Sequence, residues 1–388
     1  HIFSQINQSD PEDHWILRDE QSHINSIVSG KVTGYYHLII GERGTGKTSL
    51  LLDAMWKVNG EGCSTVVAHA DVEIFRMRLG KALNFQFQED YIGNYFSEQG
   101  QRSSTALLDI ERAFEALEKV GLRRRKRGLG PLILIICSVH LLRDDQDGRS
   151  LLQLLQQRAE AWAASSLLTM IFTSDEHRIL KRLRCMASRM EMTAITDLPK
   201  SKAISALKLY RLKYFQQQPS DLVLEEVYCR IGGRPIYLDR TARAPDMLQE
   251  CNAMIEAERR WFLNQAWILG SEMNEDALEQ QKYALTAMIL AQALVKAEDQ
   301  LLSTTSASNP NGLPEIPLHI ACQIMRRSDY IEKFDCKNLF AITPTAMVRA
   351  DSVLMQQVFR QICKEPSFEE HLGKTFQRIS EITLRRGQ

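Results

Sequence analysis

"GERGTGKTSLL" (residues 41–51) follows an apolar run, "YYHLII" (35–40), and leads into "SLLLDAMWKV" (49–58), whose composition favours a helix. Gly41, Gly46, Lys47 and Thr48 fall at the spacing G-x-x-x-x-G-K-[ST]. Chemistry dictates that spacing: glycines permit the turn in which backbone N–H groups wrap a phosphate, and the following helix points its positive end at the same anion. The strand before and the helix after are the setting the motif requires. The candidate nucleotide-binding residues are Gly41, Glu42, Arg43, Gly44, Thr45, Gly46, Lys47, Thr48 and Ser49, with Lys47 neutralising β and γ oxygens and the Thr48 hydroxyl on magnesium. The implied cofactors are ATP or ADP with Mg.

Outward from this loop, strand-like and helix-like segments alternate to about residue 198, the pattern of a parallel sheet covered by helices. After "YYHLII" come "STVVAHA" (64–70), "PLILII" (131–136), "LLTMIF" (167–172) and "MEMTAI" (190–195). The clearest helices between them are 107–120 and 148–164, where apolar residues recur at three and four. From Pro199 helices dominate to about Leu302, and "STTSASNPNGLPEIP" (303–317) reads as a linker. Short helices then precede "LFAI" (339–342), the turn Thr343–Pro344, "AMVRAD" (346–351) and a helix from Ser352, a winged-helix-like order. The expected fold is α/β: a P-loop parallel sheet flanked by helices (1–198), an all-helical lid (199–302), a linker (303–317) and a winged-helix-like module (318–388).

The third strand poses a chemical problem. P-loop nucleotidases deliver from a second strand an aspartate to the metal's shell, often with a glutamate that activates water. Here "PLILIICSVHLL" (131–142) ends in Cys137 and Ser138. A neutral thiol adds no charge and a hydroxyl is too weak a base, so this degenerate Walker B predicts slow or absent hydrolysis. Asp71 and Glu73 after the second strand, or Asp144, Asp145 and Asp147 after the third, are the acids that could substitute.

The order of strand, "GERGTGKT", strand ending at 137, "IFTSDEH", "SRMEMTAITDLP" and "IGGRPIYL" resembles the AAA+ and STAND group of P-loop ATPases, especially archaeal-type and origin-recognition-like members. It is also similar, over nearly the whole chain, to a fungal family of AAA proteins with a C-terminal winged helix. By this resemblance Thr173 and Ser174 take the sensor position for the γ-phosphate. Arg189 is placed like an arginine that reports nucleotide state or reaches a neighbouring subunit. Arg234 and Pro235 in "GGRP" look like the lid's second sensor. Arg18 in "ILRDEQ" lies on the adenine side, although Leu17 and Gln21 depart from the family's glycine and acid. Thr173, Ser174 and Asp175 also suit a helix cap before Glu176.

Global composition restrains the alternatives. Across 388 residues the formal net charge is zero, which calls for neither nucleic acid nor an acidic surface. Eight cysteines, Cys63, Cys137, Cys185, Cys229, Cys251, Cys322, Cys336 and Cys363, show no CxxC pair, which fits a reduced compartment better than a disulfide framework or a zinc motif. Tyr283–Val295 is too short to span a bilayer, where about 20 apolar residues are needed, and reads as a core helix. Trp261, Phe262 and Trp267 fall at helical spacing and read as core. "RRRKRG" (123–128) is expected in a solvated loop. The first residue, His1, leaves room for a targeting segment upstream, and the resemblance implies an intracellular, mitochondrial setting.

The expected function is a nucleotide-dependent switch or scaffold that presents its C-terminal module to a protein partner, with oligomerisation open. One rival is an active ATPase whose metal is held unconventionally. Another is an initiator-like DNA-binding ATPase. Acidic residues in the second short helix of the module, Asp329, Glu332 and Asp335, argue against phosphate contact there.

Overall fold

The computed structural model describes residues 16, 18–87, 102–266, 275–303 and 312–386. Two compact units emerge, one covering Arg18–Ile195 and the other containing Thr196–Gln388.

In the first unit the elements run α1 (Glu20–Val28), β1 (Tyr36–Ile40), α2 (Lys47–Lys57), β2 (Cys63–Val67), α3 (Val72–Leu83), α4 (Arg102–Lys126), β3 (Leu132–Cys137), α5 (Gln146–Ser165), β4 (Leu168–Ser174), α6 (His177–Arg184) and β5 (Met190–Ala194). All five expected strands are present; the largest displacement is at β2, expected to run to Ala70 and ending at Val67. They form a parallel sheet in the order β2-β3-β4-β1-β5. Side chains alternate between the faces. Tyr36, Leu38 and Ile40 join one core with residues of α3, α4, α5 and α6, such as Phe75, Phe114, Trp162 and Leu183. Ile39 joins the other with Ile24, Ile27, Leu50 and Leu51 of α1 and α2. Burial on both faces explains why β1, β3 and β4 are almost unbroken apolar runs.

The second unit continues with α7 (Lys200–Phe215), α8 (Asp221–Ile231), α9 (Pro235–Arg243), α10 (Met247–Ala266), α11 (Glu275–Ser303), β6 (Ile316–Pro317), α12 (Leu318–Met325), α13 (Asp329–Cys336), β7 (Phe340–Ile342), β8 (Met347–Ala350), α14 (Val353–Cys363) and α15 (Phe368–Arg386). Strands β6, β8 and β7 make a small antiparallel sheet, the wing being a tight turn closed by a hydrogen bond from the Ala346 N–H to the Thr343 carbonyl (2.9 Å). Helices α7–α11 and the winged-helix elements share one apolar core. A file of rings crosses it: Phe262 of α10 lies 5.1 Å from Phe359, which is 5.0 Å from Phe340, which is 5.4 Å from Phe334, with Tyr283 of α11 a further 4.6 Å on.

Several expectations are corrected here. Ile316 and Pro317, assigned to a linker, are strand β6, paired with Val348 and Met347; residues 304–311 of that stretch lie outside the described residues. Arg123–Lys126 of the basic run are the last turn of α4, where cations complement the helix's negative end. Of the aromatic trio, Phe262 is fully buried, Trp261 is exposed and donates its indole N–H to the Lys337 carbonyl (3.3 Å), and Trp267 lies outside the described residues. Among the described residues no helix is long and apolar enough to cross a membrane.

Candidate nucleotide-binding site

The phosphate loop joins β1 to α2 at the C-terminal edge of the sheet, where ligands of open parallel sheets bind. Two glycines have no substitute. A Cβ on Gly41 would lie 2.1 Å from the Ile195 carbonyl oxygen, and Gly46, the N-cap of α2, sits at φ 97°. Thr45 is buried and ties its hydroxyl to the Glu42 carbonyl (2.9 Å), whereas Arg43, Thr48 and Ser49 are exposed. Arg18, almost buried, donates to the Thr45 carbonyl and lies 3.5 Å from Glu20, so it braces the loop from the start of α1.

Lys47 is 6 % exposed. Its ammonium donates to the Gly41 carbonyl (2.8 Å) and the Glu42 carbonyl (2.9 Å) and pairs with Asp175 Oδ1 at 2.7 Å. An ammonium has three protons, and these three acceptors account for them. Asp175 immediately follows β4. Its backbone N–H donates to His140 Nδ1 (3.1 Å), which leaves the imidazole proton on Nε2, facing Asp175 Oδ2 at 3.7 Å. Burial holds the His140 pKa below the usual histidine range, against the pull of Asp175 and Glu176.

At the β3 tip Cys137 is buried, its Sγ 3.6 Å from the Thr65 hydroxyl, and burial pushes its thiol pKa up. A neutral sulfur therefore stands at the tip of β3. Ser138 adopts the left-handed region at φ 57°, and its N–H donates to the Thr173 hydroxyl (2.8 Å). The following 3-10 turn, Val139–Leu141, buries Val139 and brings His140 to Asp175.

Four of the five candidate acids are engaged elsewhere. Asp71 caps α3 through the N–H groups of Glu73 (2.8 Å) and Ile74 (3.3 Å), and Glu73 pairs with Arg76 (2.8 Å). Asp145 caps α5 through the Gly148 N–H (2.8 Å), Asp144 pairs with Arg149 and Arg182, and Asp147 is exposed in the first turn of α5. The acid at the phosphate loop is Asp175, which the sequence reading treated as part of a cap. Ser174 is the residue whose hydroxyl accepts the Glu176 N–H (3.1 Å), and α6 has no side-chain cap. Asp175's position directly after an expected strand tip was the available signal, since all parallel strands end on one edge.

Thr173 and Ser174 are buried at that edge. Arg189 is not there: it precedes β5, and its carbonyl accepts the Tyr36 N–H (3.0 Å) at the start of β1. Tyr36 opens β1, so the length of that five-residue strand, about 17 Å, lies between Arg189 and the phosphate loop. Arg234, the N-cap of α9 with Pro235 at N1, is 1 % exposed. Its Nε lies 3.0 Å from Asp197 Oδ1 and its Nη1 2.5 Å from Asp351 Oδ2, and it also donates to the Asp351 carbonyl. Its guanidinium thus ties the start of α9 to the end of β8 within the second unit.

In the winged helix, α13 buries Tyr330, Ile331, Phe334 and Asp335 and turns Asp329 and Lys333 outward. Arg327 is held by both Asp329 oxygens (2.9 and 2.9 Å).

Comparison with known proteins places these observations in context. Residues 264–383 match the family "Fungal AAA protein, C-terminal winged helix domain". A Walker-type ATPase of Pyrococcus abyssi is similar in structure, with TM-score 0.55 and 15 % identity, covering 93 % of this chain and 100 % of that one. More distant are the replication initiator DnaA bound to AMPPCP and single-stranded DNA (TM-score 0.40, 12 % identity, 96 % and 100 % covered) and the Aeropyrum pernix ORC1 protein in complex with DNA (0.40, 11 %, 90 % and 94 %). At 15 % identity the likeness to the Pyrococcus protein is one of fold. No curated protein matches the chain's sequence.

Proposed function

From a chain with the AAA+ ATPase fold whose residues 264–383 are a winged helix domain of the fungal AAA type, we infer a nucleotide-dependent switch that binds ATP or ADP and hydrolyses ATP little or not at all. The observation that carries this reading is the buried, neutral thiol of Cys137 at the tip of β3. A switch needs an anion site and a group whose position depends on it. The loop from Gly41 to Ser49 is the site, and Asp175 is the group, because a phosphate arriving at Lys47 must displace the carboxylate already there. A ligand moves such an equilibrium only by its differential affinity for the two arrangements.

Magnesium takes oxygen ligands and keeps several waters. The exposed Thr48 hydroxyl and a displaced Asp175 carboxylate are the oxygen donors that fit it, and the ion would supply charge neutralisation to the phosphates. Thr173, through Ser138, links the β4 tip to the β3 tip, a route by which displacement of Asp175 reaches the 3-10 turn carrying His140.

For the C-terminal module we favour a protein partner over duplex DNA. The outward face of α13 carries Asp329, and Arg327 is neutralised by it, whereas a recognition helix needs cations free for phosphate. Arg189, exposed and remote from its own phosphate loop, suits contact with a neighbouring copy.

Calorimetric titration with ATP and with ADP, with and without magnesium, on wild type and Lys47→Ala tests the reading. Micromolar or tighter binding, weakened at least tenfold by the substitution, is expected; wild type binding neither nucleotide would overturn it.

A further inference from the structure

We propose that His23, His37 and Glu191 form a binding site for a divalent transition-metal ion, zinc by the chemistry of its donors. The three residues come from α1, β1 and β5, and their ligand atoms all lie within 4.8 Å of one another. His37 and Glu191 are register partners on adjacent parallel strands, with His37 Nδ1 3.4 Å from Glu191 Oε2, and His23 Nε2 lies 3.7 Å from Glu191 Oε1. Zinc bonds of about 2.0–2.1 Å in a tetrahedral site place donors about 3.3 Å apart. Those two contacts, made by the two oxygens of one carboxylate, are near that separation, and His23 and Glu191, half-exposed, have room to turn one oxygen to both imidazoles.

His37 supplies the independent observation. It is 0 % exposed, and Nδ1, the ring nitrogen that faces Glu191, makes no hydrogen bond. A buried polar group left bare needs an explanation, and an absent ion is one of the few available. Two imidazoles with one carboxylate suit zinc, whereas magnesium and calcium prefer oxygen alone. Half-exposed His23 and Glu191 also leave a path from solvent and an open fourth position for water.

The site would clamp the elements that carry the phosphate loop. Strand β1 runs from His37 directly into Gly41, β5 leads from Glu191 into Ile195, the residue after it, whose carbonyl abuts Gly41, and α1 begins beside Arg18, which holds Thr45. Sequence spacing gave no hint of this, because the ligands lie far apart along the chain and include no cysteine.

The test is zinc titration of the chelator-treated full chain by calorimetry and thermal melting, on wild type, His23→Ala and Glu191→Gln. These two substitutions sit at the solvent end and leave buried His37 in place. The expected result is one zinc per chain at micromolar or tighter affinity, a raised melting temperature, and at least tenfold weaker binding with loss of the thermal gain in each variant. Absence of stoichiometric binding would overturn the proposal. So would binding unchanged in both variants, which would assign the metal to exposed thiols such as Cys185, Cys229 and Cys336. Cobalt substitution adds a spectroscopic reading: a thiolate charge-transfer band would contradict the site, and d–d absorption without one would support it.

Discussion

The Oδ1 atom of Asp175 lies 2.7 Å from the Nζ atom of Lys47, so the lysine of the glycine-rich loop already holds an anion supplied by the tip of the neighbouring strand. Under the proposed function, nucleotide binding is an exchange of one anion for another. Asp175→Asn removes the competitor while keeping the shape. A charge-assisted hydrogen bond contributes about 1.5–3 kcal/mol, and only part of it is recovered by the freed lysine. Metal-free ADP affinity should rise by about tenfold, and the gain from adding magnesium should shrink. Calorimetry in EDTA and in magnesium reads both; unchanged affinity in both conditions would contradict the exchange.

Arg234 bridges Asp197 and Asp351, and all three are buried. Removing one partner of such a group leaves charges uncompensated, at a cost of about 3–5 kcal/mol. Arg234→Met should destabilise the second unit by about that amount, and adding Asp351→Asn should recover part of the loss. Denaturant unfolding checks both. A loss below about 1 kcal/mol would show that the guanidinium does not hold α9 to β8.

Cys137 should be inert. The thiolate is the nucleophile, and burial raises this thiol's pKa, so at neutral pH it stays protonated as well as inaccessible. The sign of the shift means that reactivity increases only at pH above the ordinary thiol range. Iodoacetamide labelling of the native chain near neutral pH, read by mass spectrometry, should modify Cys185, Cys229 and Cys336 and spare Cys137. Equal labelling of Cys137 and Cys185 would place the β3 tip in solvent.

Arg326 and Arg327 lie just before α13, yet Arg327 is taken by Asp329 and Arg326 lies over the Phe376 ring at 5.7 Å. Fluorescence anisotropy with duplex DNA at low salt should give no saturable binding, and Arg326→Ala with Arg327→Ala should change nothing. Tight, steeply salt-dependent binding lost in the double variant would favour an initiator-like protein instead.

The sheet was legible because strands buried on both faces leave continuous apolar runs, and the phosphate loop because glycine and lysine spacing is fixed by the anion. Cys137 was legible for the same reason: its strand could be placed, and so could its tip. Asp175 was not, since the sequence pattern of a helix cap and of a strand-tip carboxylate coincide, and only the packing of β4 against β1 sends it to Lys47. The ion pairs of Arg234 were not legible, since Asp197 and Asp351 lie 37 and 117 residues away, beyond any local pattern. His23, His37 and Glu191 failed the same way, their proximity arising from parallel pairing of β1 with β5. Trp261 shows the limit of periodicity: helical spacing gave the face of Phe262 correctly and its neighbour's wrongly.

The central claim, nucleotide held without ordinary turnover, is tested most directly by incubating the chain with excess ATP and magnesium and following phosphate release on wild type, Lys47→Ala and Cys137→Asp with Ser138→Glu. Enzymes of ordinary competence turn over at about 1 s⁻¹ or faster. The account predicts that wild type binds ATP yet releases phosphate at least a hundredfold more slowly than that, indistinguishably from Lys47→Ala. Wild-type turnover near 1 s⁻¹, abolished by Lys47→Ala, would contradict it and make Asp175 the carboxylate of a working ATPase.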